Sequence, residues 1–178
     1  MSKRTIKKVA VLGSGVMGSR IACHFAGIGV QVLLLDIAAP PPPEGEISKA
    51  PDKNKIVNDA LTAAIKSNPS PVYHKDVIKK ITTGNFDDNM KDIAGCDWVI
   101  AVVVERLDIK QKVFEQVEKY RKPGTLITSN TSGIPIHMMA EGRTEDVKKH
   151  FCGTHFFNPP RYLRLLEIIP TPYTDPEI

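Results

Sequence analysis

The sequence predicts an α/β fold in which helices cover both faces of a doubly wound, mostly parallel sheet that ends in an antiparallel hairpin. Three observations carry that expectation. Lys8 to Asp36 reads as strand, glycine loop, helix and strand; Trp98 to Val104 is an unbroken apolar and β-branched run; and His155 to Ile169 reads as two strands around a proline turn. The chain has 178 residues, enough for one domain with a substantial core and too few for two typical ones, so residues 1–178 are read as a single domain.

Lys8 to Leu12 is a short strand of the buried type that runs into Gly13-Ser14-Gly15-Val16-Met17-Gly18. A helix is expected from Val16 to Ile28, ended by Gly29, and Gln31 to Leu35 forms the next strand, closing at Asp36. Ala38 to Gly45, with Pro40 to Pro43 in a row, can be neither helix nor central strand and is read as a surface insertion. Helical character returns from Lys53 to Lys66. Pro69 to Pro71 breaks it, a short basic helix follows near His74 to Lys80, and Ile81 to Thr83 is a minor or edge strand. Trp98 to Val104 has the pattern of a strand buried on both faces of a parallel sheet. A helix from Ile109 to Tyr120, the turn Lys122-Pro123-Gly124, a strand from Thr125 to Ser129 and a short helix opening near Pro135 come next.

A hydrophobic fraction of 42% with 25% charged residues is ordinary for a globular protein, and the formal charge of +4 is dispersed apart from Lys3-Arg4 and Lys7-Lys8. That distribution attracts anions such as phosphorylated cofactors mildly and offers no stripe for nucleic acid. The apolar run Val9 to Leu12 is too short for a signal peptide or a membrane span, so a soluble, cytoplasmic protein is expected. Cys23, Cys96 and Cys152 are widely spaced in apolar contexts, which suits reduced, buried thiols; no cluster has metal-ligand spacing, and no metal is expected.

A Gly-x-Gly-x-x-Gly string alone is weak evidence, but here it follows a strand, opens a helix and is succeeded by Asp36 at the end of the second strand. That order marks a Rossmann-type dinucleotide site. Gly13 permits the tight turn, Gly15 lets a pyrophosphate approach the backbone, Gly18 lets the helix pack closely, and Val16 and Met17 open the helix whose N-terminus meets the phosphate charge. Asp36 would accept hydrogen bonds from the adenosine ribose hydroxyls. With Ile37 and Ala38 following and no adjacent Arg, a 2′-phosphate would meet repulsion, which favours NAD over NADP. The competing reading is a flavin site or a turn that binds no nucleotide.

Asn158-Pro159-Pro160 must end the strand that begins before His155, because proline supplies no ladder N–H and restricts its predecessor. With the turn centred near Arg161, residues whose numbers sum to 322 face each other, and His155 lies across from Glu167. A carboxylate beside an imidazole orients the ring and stabilises its charged form, as a general base near neutral pH requires. A lone histidine is more often a satisfied structural one, so the neighbouring motifs must decide.

Four motifs together resemble the NAD-binding domain of the 3-hydroxyacyl-CoA dehydrogenase family: the glycine loop, Val104-Glu105-Arg106-Leu107 with Lys110, Ser129-Asn130-Thr131-Ser132, and His155 to Glu167. The wording around them looks most like long bacterial members with an enoyl-CoA hydratase-like part downstream. The resemblance implies that His155 takes the proton of a 3-hydroxyl group while hydride leaves C3 for the nicotinamide, that Glu167 orients His155, and that Ser132 hydrogen-bonds the reacting oxygen. It further implies that Glu105, Lys110, Ser132 and Asn158 lie along the nicotinamide and its ribose, in an enzyme of fatty acid β-oxidation. Without the family, Glu105 and Lys110 read equally well as a solvated pair at a helix start, and Ser132 as a turn or cap residue.

The chain departs from the family pattern at Ala101, where many relatives carry glutamate, at the Pro40 to Pro43 insertion beside the adenine edge, and at Ala60, where relatives carry a CoA-contacting serine; their CoA-contacting lysine has only an ambiguous counterpart in Lys66, so the CoA contacts are unassigned. The family's helical domain, which supplies part of the acyl pocket and much of the dimer contact, would follow Ile178. The chain is therefore expected to be a fragment that turns over little acetoacetyl-CoA by itself, its full-length form a homo-oligomer or part of a multifunctional complex acting on acyl-CoA. Two other readings stay open: a dinucleotide-binding module without chemistry, and a dehydrogenase for another hydroxy acid.

Overall fold

The computed structural model describes residues 4–41 and 52–178. β1 (Lys8–Leu12), α1 (Val16–Gly27) and β2 (Gln31–Asp36) form the opening unit, with β1 and β2 parallel from Lys8 opposite Gln31 to Leu12 opposite Leu35. α2 (Lys55–Lys66) and a 3-10 helix at Lys75–Lys80 bring the chain to β3 (Ile81–Asn85), the outer partner of β2. The short α3 (Phe86–Asn89) and a 3-10 turn at Met90–Gly95 lead to β4 (Trp98–Ala101), parallel to β1 on its other side. α4 (Leu107–Tyr120), β5 (Leu126–Ser129), α5 (Ile136–Ala140) and α6 (Glu145–Lys149) follow. β6 (Phe151–Phe156) and β7 (Leu166–Pro170) close the sheet.

The strand order is β3-β2-β1-β4-β5-β6-β7, with β6 and β7 antiparallel and the other pairs parallel. The order reverses between β1 and β4, the place where open α/β sheets bind ligands at the carboxyl ends of their strands. Alternation along the strands separates two core layers. Leu12, Val99 and Ile127 face α4, with Phe114 and Phe151 packed edge to face at 5.1 Å; Val11, Leu34 and Ile100 face α1 and α2, with Phe25 against Trp98 at 5.2 Å. Burial of such rings and branched chains on both faces is what holds the sheet, at roughly 25 cal/mol per Å² of apolar surface removed from water.

The doubly wound architecture is the expected one, and several boundaries differ. The run Trp98 to Val104 leaves the sheet at Ala101, because its partners end there: Leu12 on β1 and Ser129 on β5 both pair with Ala101, and beyond Leu12 the neighbour turns into the glycine loop. β3 runs on to Asn85 instead of stopping at Thr83. α3, its 3-10 continuation and α6 were not expected from the hydrophobic pattern. A signal for α3 is present in Asn85, whose side chain accepts from Asp88 N at 2.9 Å and caps the helix. Pro42 and Pro43 of the expected insertion lie outside the described residues.

Cys23, Cys96 and Cys152 are free and buried, and burial pushes each thiol up to about 11. Among the described residues no helix is long and apolar enough to cross a membrane. No group of three or more His, Cys, Asp or Glu side chains among them is arranged to hold a metal ion.

Candidate active site

The loop between β1 and α1 is shaped by two glycines that tolerate nothing larger. Gly13 donates its N–H to Leu35 O at 2.7 Å with φ at +104°, and a Cβ there would stand 2.5 Å from Val102 O. A Cβ on Gly18 would meet Gly13 O at 1.8 Å. Gly15 is different: no atom lies within 4 Å of the place a Cβ would take, and no side chain caps the α1 N-terminus. Open backbone at the start of a twelve-residue helix could cradle a pyrophosphate, and Val16, 67% exposed, stands on its rim with the less exposed Met17 behind it.

A cleft of about 990 Å³ adjoins this loop, lined among others by Gly13, Gly15, Asp36, Ile37, Phe86 and Val102. Asp36 sits at the end of β2, where its Oδ2 accepts from Ser14 N and Ser14 Oγ, each at 2.5 Å, and its Oδ1 accepts from Ile37 N at 2.7 Å. Ser14 is buried, and its carbonyl in turn accepts from Ser19 Oγ at 2.5 Å. The residues present therefore fit a dinucleotide: an open phosphate cradle, and a carboxylate held beside it where ribose hydroxyls can donate.

A second cleft, of about 620 Å³, lies at the carboxyl ends of β5 and β6 and is lined by Thr131, Ser132, His155, Phe157 and Glu167, among others. The β6–β7 register places His155 directly opposite Glu167, and His155 Nδ1 stands 2.7 Å from Glu167 Oε2. With Nδ1 donating to the carboxylate, the neutral ring leaves the Nε2 lone pair free to take a proton. The Phe157 ring, 4.7 Å from the imidazole centroid to centroid, covers one side of it.

The loop that carries Ser132 is tied from below. Glu105 Oε1 accepts from Gly133 N at 3.0 Å and from Thr131 Oγ1, while Glu105 Oε2 lies 3.1 Å from Lys110 Nζ. Burial works to raise the Glu105 carboxyl, but the Thr131 and Gly133 hydrogen bonds and the Lys110 ammonium outweigh it and hold it below its ordinary value. Lys110 has no exposed surface, and its ammonium meets no hydrogen-bond acceptor of good geometry beyond that ion pair among the described residues. Asn130 Oδ1 accepts from Phe156 N at 2.8 Å, which fastens the end of β6 to the end of β5.

Residues 8–178 match the family described as 3-hydroxyacyl-CoA dehydrogenase, NAD binding domain. The chain belongs to that family. It is 48% identical to a probable 3-hydroxyacyl-CoA dehydrogenase of Bacillus subtilis over 97% of this chain and 23% of the relative. It is 45% identical to another so named from Deinococcus radiodurans, over 97% of this chain and 48% of the relative. The chain thus spans between about a quarter and about half of the length of these relatives. Among solved structures, the 3-hydroxybutyryl-CoA dehydrogenase of Escherichia coli superposes with a TM-score of 0.74 at 29% identity, over 97% of this chain and 34% of that one.

Within this NAD-binding domain, the residues singled out in the sequence fall into three groups. Gly13, Gly15 and Asp36 line the first cleft, with Val16, Met17 and Gly18 in the adjoining first turn of α1; Ser132, His155 and Glu167 line the second. Glu105 and Lys110 form a pair beneath the Ser132 loop, with Lys110 buried and so not solvated, and the exposed Asn158 follows β6. Thr131 and Asn130 were not singled out, although both stand in the same four-residue motif as Ser132. Their partners, Glu105 and Phe156, are each 26 residues away in sequence, and no local pattern points to them.

Proposed function

We propose that this chain is the cofactor-binding and dyad-carrying half of an NAD-dependent 3-hydroxyacyl-CoA dehydrogenase acting in fatty acid β-oxidation. The observation that carries the reading is the His155 Nδ1 to Glu167 Oε2 contact of 2.7 Å on the wall of the cleft that also holds Ser132. Bound at the glycine loop, NAD⁺ supplies the acceptor for the hydride that leaves C3 of the substrate. His155 Nε2 takes the proton of the 3-hydroxyl, Glu167 holds the ring in the tautomer that can do so and balances the charge it gains, and Ser132 donates to the reacting oxygen. Glu105, through Thr131 and Gly133, keeps Ser132 in place, and Lys110 neutralises Glu105. Asp36 receives the adenosine ribose and favours NAD over a cofactor with a 2′-phosphate. In this reading residues 1–178 act as one NAD-binding domain, the substrate is an acyl-CoA, and a homo-oligomer or a multifunctional assembly completes the pocket.

A dinucleotide-binding module without chemistry has no need of the dyad, and titration with rate measurement separates the two. The protein carrying this chain should bind NADH more tightly than NADPH and oxidise 3-hydroxybutyryl-CoA with NAD⁺, followed by NADH absorbance. Tighter NADPH binding would remove the role given to Asp36, and NADH binding without turnover in an intact assembly would leave only the binding module.

A further inference from the structure

We propose that Arg20 is a positioning residue that sets which end of the Asn158 amide faces a ligand; this rests on the NAD-dependent reading above, taken with the family resemblance, which implies that Asn158 lies along the nicotinamide and its ribose. Arg20 lies on α1, one helical turn past Val16 and therefore on the face of the helix that begins at the phosphate cradle. Its Nη1 donates to Asn158 Oδ1 at 2.7 Å, and its Nη2 reaches Ser67 Oγ at 3.5 Å, just past the end of α2. Ser67 Oγ is itself anchored, donating to Ala64 O at 2.7 Å. The guanidinium thus spans the helix of the glycine loop, the end of the next helix and the turn that leaves the dyad strand.

A guanidinium has donors and no acceptor, so only the amide oxygen of Asn158 can face it. The opposite orientation would set an NH₂ group against a cation. With Oδ1 held, Asn158 keeps Nδ2 and its two N–H bonds for a ligand, and the groups it can serve are acceptors: the carbonyl oxygen of a carboxamide or a ribose oxygen. Asn158 follows His155 by three residues, so the same bond also fixes how the chain leaves β6 beyond the base. Arg20 need not touch the cofactor to do this. It acts through Asn158.

The test compares NADH affinity, by fluorescence titration, with melting temperature in the protein carrying this chain and in its Arg20→Met, Asn158→Ala and double variants. Arg20→Met should weaken NADH binding roughly three- to tenfold, the worth of one neutral hydrogen bond from Asn158 to the ligand, with little change in melting. The double variant should bind no more weakly than Asn158→Ala alone, and Arg20→Lys, which keeps one donor for Oδ1, should recover much of the loss. Additive losses would mean that Arg20 meets an anion of the ligand itself and would overturn the proposal, as would unchanged affinity in Arg20→Met. Asn158→Asp decides the matter even if Arg20→Met folds poorly: it keeps an acceptor for Arg20 and removes both donors. It should melt no lower than the parent protein and bind NADH as weakly as Asn158→Ala, and parental affinity would refute the donor role. Failure of the parent protein itself to bind NADH would instead bring down the cofactor reading, and this proposal with it.

Discussion

Replacing Gly15 and Gly18 by alanine, one at a time, separates what the glycine loop does for the fold from what it does for a ligand. At Gly18 an added Cβ lies 1.8 Å from Gly13 O and 2.8 Å from Gly13 C, and both are backbone atoms that cannot swing aside. An ordinary contact begins near 3.4 Å, so the carbonyl would have to retreat by about 1.6 Å. It cannot do so freely, because Gly13 also holds Leu35 O at 2.7 Å through its own N–H. Overpacking of this kind costs about 3 kcal/mol or more, a large part of the ~5–15 kcal/mol that holds a typical domain. At Gly15, φ of −52° and ψ of −174° lie near the extended region open to alanine, and the Cβ meets nothing within 4 Å. Stability should stay within about 1 kcal/mol of the parent, since the stiffer unfolded chain offsets small losses.

On the cofactor reading proposed above, however, the Gly15 methyl stands where a pyrophosphate would come up to the backbone. Losing one hydrogen bond from backbone N–H to a charged oxygen removes about 1.5–3 kcal/mol, or roughly ten- to a hundredfold in affinity. Urea melts and NADH titrations on the two variants should therefore diverge: Gly15→Ala stable and weak in binding, Gly18→Ala unstable. A Gly15→Ala protein that binds NADH like its parent would refute the cradle, whatever its stability.

Two further outcomes test the second cleft. His155→Ala should slow 3-hydroxybutyryl-CoA oxidation by about 10²–10⁴-fold, the usual span for a general base, and Glu167→Gln should slow it less, with NADH binding preserved in both; equal activity of His155→Ala and parent would end the dyad reading. Glu105→Gln should destabilise by about 1–2 kcal/mol at neutral pH, a figure discounted from that of a buried pair because Glu105 is partly open to solvent while Lys110 is not. Because the folded carboxyl lies below its ordinary 4.5, its contribution is present above that value and fades as pH falls through the folded one. The gap in urea stability between parent and variant should narrow on the acid side, and a gap independent of pH would show that the carboxylate charge is not what matters.

The parts of this molecule legible in the sequence are those in which position along the chain determines position in space. A hairpin has one register once its turn is placed, so the pairing of His155 with Glu167 could be read from spacing alone. The β-α-β opening and its glycine loop were legible for a similar reason, since each element there follows directly from its neighbour. Trp98 to Val104 shows where this stops. Val102 to Val104 have the same apolar, β-branched character as the strand before them, yet a strand needs partners, and those end at Leu12 and Ser129. The supports of the site were hidden for the same cause. Ser14 on Asp36, Thr131 on Glu105 and Asn130 on Phe156 N are meetings across 22 to 26 residues, and no local composition foretells them.

Those hidden contacts explain how two clefts are held in fixed relation. Glu105, which follows β4, grips the loop after β5 at Thr131 and Gly133; Asn130, in that loop, grips the end of β6; and Arg20, on α1, reaches Asn158 just beyond β6. The exits of β4, β5 and β6 are tied in turn along the carboxyl edge of the sheet, and Arg20 joins the helix of the glycine loop to the segment after β6. Ser132 is therefore positioned by bonds it does not itself make, and His155 by its bond to Glu167 together with the tie at the end of its strand. The dyad itself can be cut with little effect on this framework, because His155 and Glu167 lie on a pair of strands already joined by their backbone ladder. The ties cannot, since Glu105 holds a buried ammonium and Asn130 fills a backbone N–H that has lost its ladder partner. On this sheet the residues to which the proposed function gives the chemistry should be cheaper to replace structurally than those that aim them.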